Sequence, residues 1–205
     1  RIEHLPSKQR VARSNRARRT PAEGNTMKNN IKDMKGKLLN LIKERALFSG
    51  PRKLSSGKMS NCYIDGKLIT CDPEGLYLTG KIILSMLGQE KIDAIGGMTL
   101  GADPIASAVG VISYLEKRPI KVFIVRSVQK DHGMGKLIEG HLQKGWNVVV
   151  VDDVVTTGGS VLRAIKAVEE AGGNVKKVIA IVDRLEGARE ALLEKNIPLE
   201  AIFTR

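Results

Sequence analysis

The sequence predicts an α/β domain, a central and mostly parallel sheet flanked by helices, with a small N-terminal hood. Three observations lead there. From residue 92 onward, short apolar segments of strand length alternate with segments of helix length. The strand segments are nearly unbroken Val, Ile and Ala, as strands covered on both faces must be. Of the 205 residues 42% are apolar but only 3% aromatic, so the core is aliphatic.

Residues 1–27 hold Arg1, Lys8, Arg10, Arg13, Arg16, Arg18 and Arg19 against Glu3 and Glu23, with no sustained periodicity. They read as a disordered basic extension. "RVARSNRARR" could serve as an RNA-binding arm; the preferred expectation is an extension that is not native, with Met27 the natural start. Residues 28–205 form the folded domain. Ile31, Met34, Leu38, Leu41, Ile42 and Leu47 fall near helical spacing and predict a helix over 31–47. The stretch 50–70, broken by Gly and Ser, predicts two short strands, the hood. Pro73 opens a helix running to about Leu87. Strands over 92–97, 121–125, 147–151 and 175–183 then alternate with helices over 103–116, 160–172 and 188–195.

Composition narrows the function. No apolar run approaches the length of about 18 residues that a membrane span needs, and the first 26 residues lack the apolar stretch of a signal peptide. Cys62 and Cys71 are too few for a disulfide framework, and His4, His132 and His141 are scattered, so no structural zinc is expected. A cytoplasmic chain with free thiols is the expectation. The net charge of +12 points to an anionic partner, either nucleic acid or a phosphorylated small molecule.

The segment "VVVVDDVVTTGGS", residues 148–160, carries the chemistry. A buried strand ends in two acids, two threonines, two glycines and a serine, just before a helix. Glycines let backbone approach a ligand, hydroxyls donate, and the helix start presents free N–H groups; together they make a phosphate cup. Asp152 and Asp153 would repel a bare phosphate. They suit a ligand that carries hydroxyls or a divalent metal next to its phosphate; a ribose would place two adjacent hydroxyls on carboxylates that accept from both. An acid pair that merely caps the next helix is the plainer reading. No G-x-x-x-x-G-K-[ST] string occurs, and "GMGKLIEG" (133–140) has the wrong glycine spacing for a dinucleotide fingerprint.

This segment resembles the phosphoribosyl-pyrophosphate signature of type I phosphoribosyltransferases. Together with "LSSGKMSNCYIDGK" (54–67), "GGMTLGADPIA" (96–106), "FIVRSVQKDHGMGKLIEGHL" (123–142) and "IAIVDRLEGARE" (179–190), it resembles the orotate phosphoribosyltransferase family from about residue 30 to the end. The resemblance implies the type I phosphoribosyltransferase fold and a reaction of orotate with phosphoribosyl pyrophosphate. With Mg²⁺ this gives orotidine 5′-monophosphate and pyrophosphate in pyrimidine synthesis. It implies Asp152 and Asp153 on the ribose hydroxyls, and Val154, Val155, Thr156, Thr157, Gly158, Gly159 and Ser160 as the phosphate loop, with Thr156 also at orotate. It implies Arg126, Lys130 and His132 on the pyrophosphate side, Lys130 being catalytic with the two aspartates. Arg184 would pair with the orotate carboxylate, as a planar guanidinium suits. Backbone amides of "MTLGAD" (98–103) would bind pyrophosphate, and Tyr63 and Ile64 would lie over the base. Mg²⁺ would be held mainly through the substrate. A homodimer is implied, with the 127–140 loop of one subunit closing the site of the other. The chain departs from the pattern at Ser127 and in the hood at Leu54-Ser55-Ser56-Gly57, where relatives often carry Lys. The alternatives are transfer to another base, such as a purine, and a nucleotide-sensing regulator that binds nucleic acid. Nucleic acid is the less expected partner, because no recognisable DNA-binding helix pair is present.

Overall fold

The structure is a computed structural model that describes residues 21–53, 59–128 and 137–205. The first helix, α1 (Pro21–Leu41), leads through a π-turn at Ile42–Ala46 into the hood, strands β1 (Leu47–Lys53) and β2 (Met59–Ile64). A short helix α2 (Lys67–Thr70) and a longer α3 (Pro73–Met86) follow. The remainder alternates: β3 (Ala94–Met98), α4 (Ala102–Leu115), β4 (Lys121–Val125), β5 (Ile138–Gly140), β6 (Asn147–Val155), α5 (Gly159–Glu170), β7 (Asn174–Asp183), α6 (Ala188–Leu193) and β8 (Leu199–Thr204).

The six strands of the main sheet run in the order β5-β4-β3-β6-β7-β8. All neighbours are parallel except β4 and β5. The alternation of Val148 and Val150 against Val149 and Val151 sends side chains to opposite faces. Val149 and Val151 pack with α1, α3 and α4, through Leu38, Ile82, Ile83 and Ile105. Val148 and Val150 pack with α5 and α6, through Ile165, Val168 and Leu192. Two aliphatic cores sandwich one sheet, and the two short strands expected in the hood, β1 and β2, pair antiparallel.

Four expectations need correction. The first helix starts at Pro21 rather than Ile31, so residues 21–27 of the expected disordered extension are helical. Proline suits that first position because it gives up only an N–H that would be unpaired there. The same helix stops at Leu41, and Leu47 begins a strand instead of ending the helix. β6 runs on to Val155, four residues beyond the predicted end at Val151, because Val154 and Val155 keep pairing with Val182 and Asp183 of β7. Residues 138–140 of the expected 127–140 loop belong to the chain's own sheet, as the edge strand β5. The terminal strand β8 had no counterpart in the sequence reading.

Candidate active site

Chain order and sheet order diverge at one place. From β3 the chain crosses through α4 to β4 on one side; from β6 it crosses through α5 to β7 on the other. Ligands in open α/β sheets bind at such a switch, beyond the carboxyl ends of the strands. Here β3 pairs with β6 only through Gly96–Val150, whereas β7 accompanies β6 to Val155. The second half of β6 therefore borders a crevice, and Asp152 and Asp153 sit in it.

Both aspartates are buried, at 8% and 7% exposure. Asp152 Oδ1 accepts the Asp153 N–H at 3.0 Å, and Asp153 Oδ1 accepts the Val154 N–H at 2.9 Å. Asp153 Oδ2 also faces Lys67 Nζ at 3.5 Å. Burial first, and the Asp153 carboxylate second, push the Asp152 carboxyl up to about 7, while Lys67 and a backbone N–H pull the other way. Neither acid caps α5, whose N-cap is Gly158. The capping explanation for the pair therefore falls.

The predicted turn follows directly. Gly158 has φ 84°, a left-handed conformation open to glycine, and from it α5 begins at Gly159. Residues 154–161 line a cavity of about 400 Å³ that also reaches Asp152 and Arg163. Thr156, Thr157, Gly158, Gly159 and Ser160 all border it. The Arg184 N–H donates to the Val155 carbonyl at 2.9 Å, which ties the end of β7 to the root of this loop. The Arg184 side chain is 4% exposed and pairs with Glu186 at 2.9 Å. Across the crevice, the 99–101 turn closes on the acid pair. A Cβ added at Gly101 would lie 2.5 Å from Asp152 Oδ1 and 2.9 Å from Asp153 Oδ1. The Thr99 hydroxyl donates to Asp103 Oδ2 at 2.6 Å and holds that turn.

An acid pair and a cup of hydroxyl and glycine residues thus meet at the switch point, with the Arg184 backbone tied to the root of the cup. The phosphoribosyl transferase domain family matches residues 76–195. The orotate phosphoribosyltransferase of Aquifex aeolicus is 50% identical over 170 residues, covering 82% of this chain and 93% of that protein. The chain belongs to the orotate phosphoribosyltransferase family. Its counterpart from Methanocaldococcus jannaschii is 47% identical over 173 residues, 84% of this chain and 95% of the relative. Among solved structures, Mycobacterium tuberculosis orotate phosphoribosyltransferase in complex with 5-phospho-alpha-D-ribosyl 1-diphosphate superposes with a TM-score of 0.70. It is 33% identical and covers 83% of this chain and 96% of its own.

Against the family pattern, two site residues surface that sequence reasoning missed. Lys67, the first residue of α2, stands beside Asp153. The Asp153 carboxylate foremost holds its ammonium above the usual lysine value. The quoted "YIDGK" contains Lys67, but only the fold brings it across to β6. Arg163 lines the cup from one turn inside α5. Arg126 follows β4 and pairs with Glu139 of β5 at 3.2 Å. Tyr63 stands in β2 with its ring centroid 6.3 Å from that of Phe48. Lys130 and His132 lie outside the described residues, as does Ser55.

Proposed function

We infer that the protein transfers the 5-phosphoribosyl group from phosphoribosyl pyrophosphate to orotate, giving orotidine 5′-monophosphate and pyrophosphate in pyrimidine synthesis. The observation that carries this is the buried pair Asp152 and Asp153 beside a cup of hydroxyl and glycine residues at the switch crevice. A 50% identical relative named for the same activity supports it.

The ribose hydroxyls donate to Asp152 and Asp153, while residues 156–160 seat the 5′-phosphate on free N–H groups at the start of α5. Breaking the bond at the anomeric carbon builds positive charge on the sugar ring, and the nearby carboxylates stabilise it. Arg184 offers its planar fork to the orotate carboxylate; Glu186, now paired with it, must share or release that fork. Arg126, Lys130 and His132 bring positive charge to departing pyrophosphate, and the 98–103 turn offers backbone amides. The lid segment excludes water that would otherwise capture the activated sugar.

Mg²⁺ fits this arrangement as a companion of the donor. Among the described residues no three or more His, Cys, Asp or Glu side chains gather into a metal cage. Mg²⁺ keeps much of its water and binds through substrate phosphates in such sites. The donor's pyrophosphate oxygens would mainly hold it, with Asp152 and Asp153 the acids on offer in the crevice, and it would neutralise the leaving group.

The working unit is a homodimer in the cytoplasm. Val111, Tyr114 and Leu115 of α4 are 62%, 73% and 70% exposed, and an apolar depression beside Ile120 and Val122 adjoins them. So contiguous an apolar surface marks an association site. The loop ahead of β5 then reaches the neighbouring site. No helix among the described residues is long and apolar enough to cross a membrane, and Cys71 is a free, exposed thiol.

An ultraviolet assay on purified protein tests the reading. Orotate absorbance should fall when phosphoribosyl pyrophosphate and Mg²⁺ are present and hold steady without either. Parallel reactions with adenine and hypoxanthine should stay silent. Turnover of a purine without turnover of orotate would reassign the substrate.

A further inference from the structure

We propose that Arg163 is a further binding residue for the sugar donor, the cation that completes the seat of its 5′-phosphate. This rests on the reading of residues 156–160 as that seat. The lining of the cavity contains two charged side chains, Asp152 and Arg163; the rest is backbone, hydroxyl and valine. A phosphate monoester carries a charge of about −1.5 to −2 at neutral pH. The start of a helix offers roughly half a positive charge. Asp152, on the same wall, subtracts from that. A dianion is therefore poorly balanced by the amides alone, and a cation lining the same cavity corrects the deficit.

Arg163 is placed for this. It stands four residues after Gly159 and three after Ser160 in α5, so it rises from the helix face that carries the cup's last residues. Its side chain is exposed and lines the cavity. The other long charged residues of α5 are engaged elsewhere. Lys166 pairs with Glu170 at 3.8 Å, and Glu169 pairs with Lys195 at 3.5 Å. Among the described residues, no ion pair or hydrogen bond occupies the Arg163 guanidinium. A guanidinium can present two parallel N–H groups to two phosphate oxygens, a geometry that lysine lacks.

Calorimetric titration of the full chain with ribose 5-phosphate, and separately with pyrophosphate, tests the assignment. Ribose 5-phosphate ends in the group Arg163 would hold; pyrophosphate does not enter that cup. Arg163→Ala should weaken ribose 5-phosphate roughly tenfold, about 1.4 kcal/mol, and leave pyrophosphate within about twofold. Arg163→Lys should recover part of the loss. In turnover, KM for phosphoribosyl pyrophosphate should rise by a similar factor while KM for orotate and kcat hold. Alanine is a strong helix former, so α5 survives the change. Unchanged ribose 5-phosphate affinity in Arg163→Ala overturns the proposal. So does equal weakening of both ligands, which would indicate a diffuse field rather than a contact. If the wild-type protein binds ribose 5-phosphate with this Arg163 dependence yet consumes no orotate, the assigned activity fails and the Arg163 seat stands. A wild-type protein that binds no ribose 5-phosphate removes the Arg163 seat, while orotate consumption decides the activity separately.

Discussion

With its carboxyl pushed up to about 7 by burial and by Asp153, Asp152 works against the folded state at neutral pH. In the unfolded chain an aspartate loses its proton near 3.9. Between that value and about 7 the native protein binds more protons than the unfolded one, so stability declines as pH rises through this window. Asp152→Asn should therefore raise stability at pH 8 by about 1–3 kcal/mol and leave it nearly unchanged at pH 4. It should also cut kcat/KM at least a hundredfold. Denaturant midpoints at the two pH values provide the check, and equal gains at both would contradict the assigned cause. Arg184→Lys keeps the charge but loses the planar fork, so KM for orotate should rise tenfold or more while KM for phosphoribosyl pyrophosphate stays within about twofold. Steady-state kinetics with each substrate varied would expose a wrong partner. Of these residues, Asp152, Asp153 and Arg184 were legible in sequence because each adjoins an apolar strand run. Lys67 was not, since its partner Asp153 is remote in the chain and only α2 brings the two within 3.5 Å.

Among the elements, the 99–101 turn between β3 and α4 is fitted most tightly to the carboxylates. Any side chain at Gly101 intrudes on both acids. Those neighbours are side-chain ends that can give way, so Gly101→Ala should lower kcat/KM about tenfold or more with little change in melting temperature. A large fall in melting temperature with normal kinetics in the folded fraction would mean the turn matters only for folding. The strands that sequence reasoning located include those built on continuous apolar runs, such as 122–125 and 178–182. It stopped β6 at Val151 because two adjacent acids look like a strand's end. Pairing with β7 overrides that local signal: Asp152 pairs with Ala180, and the ladder continues at Val154. β5 is a three-residue edge strand of mixed burial, too short to leave a period. Proline at position 21 did signal a helix start, but the surrounding basic residues masked it.

For the molecule as a whole, the crevice could be foreseen and the exposed apolar patch on α4 could not. Strand–helix alternation implies a parallel sheet, and a parallel sheet implies a switch point. Apolar residues on α4 read equally well as core until the fold shows Val111, Tyr114 and Leu115 facing outward. Val111→Asp should convert a dimer into a monomer in sedimentation experiments and, if the lid is shared, reduce turnover as well. A wild-type protein that sediments as a monomer at micromolar concentration would end that reading.

Arg126 and Leu137 face each other: the Arg126 N–H donates to the Leu137 carbonyl at 2.8 Å, and β4 and β5 continue the pairing below them. The peptide between them is thus an excursion that leaves and re-enters through one gatepost. Its length and composition can drift while the sheet beneath stays indifferent, because the closure is already made at the base and extra residues add little entropy cost. Transplanting that excursion from a relative should yield chimeras that melt with the parent protein but turn over at the donor's pace.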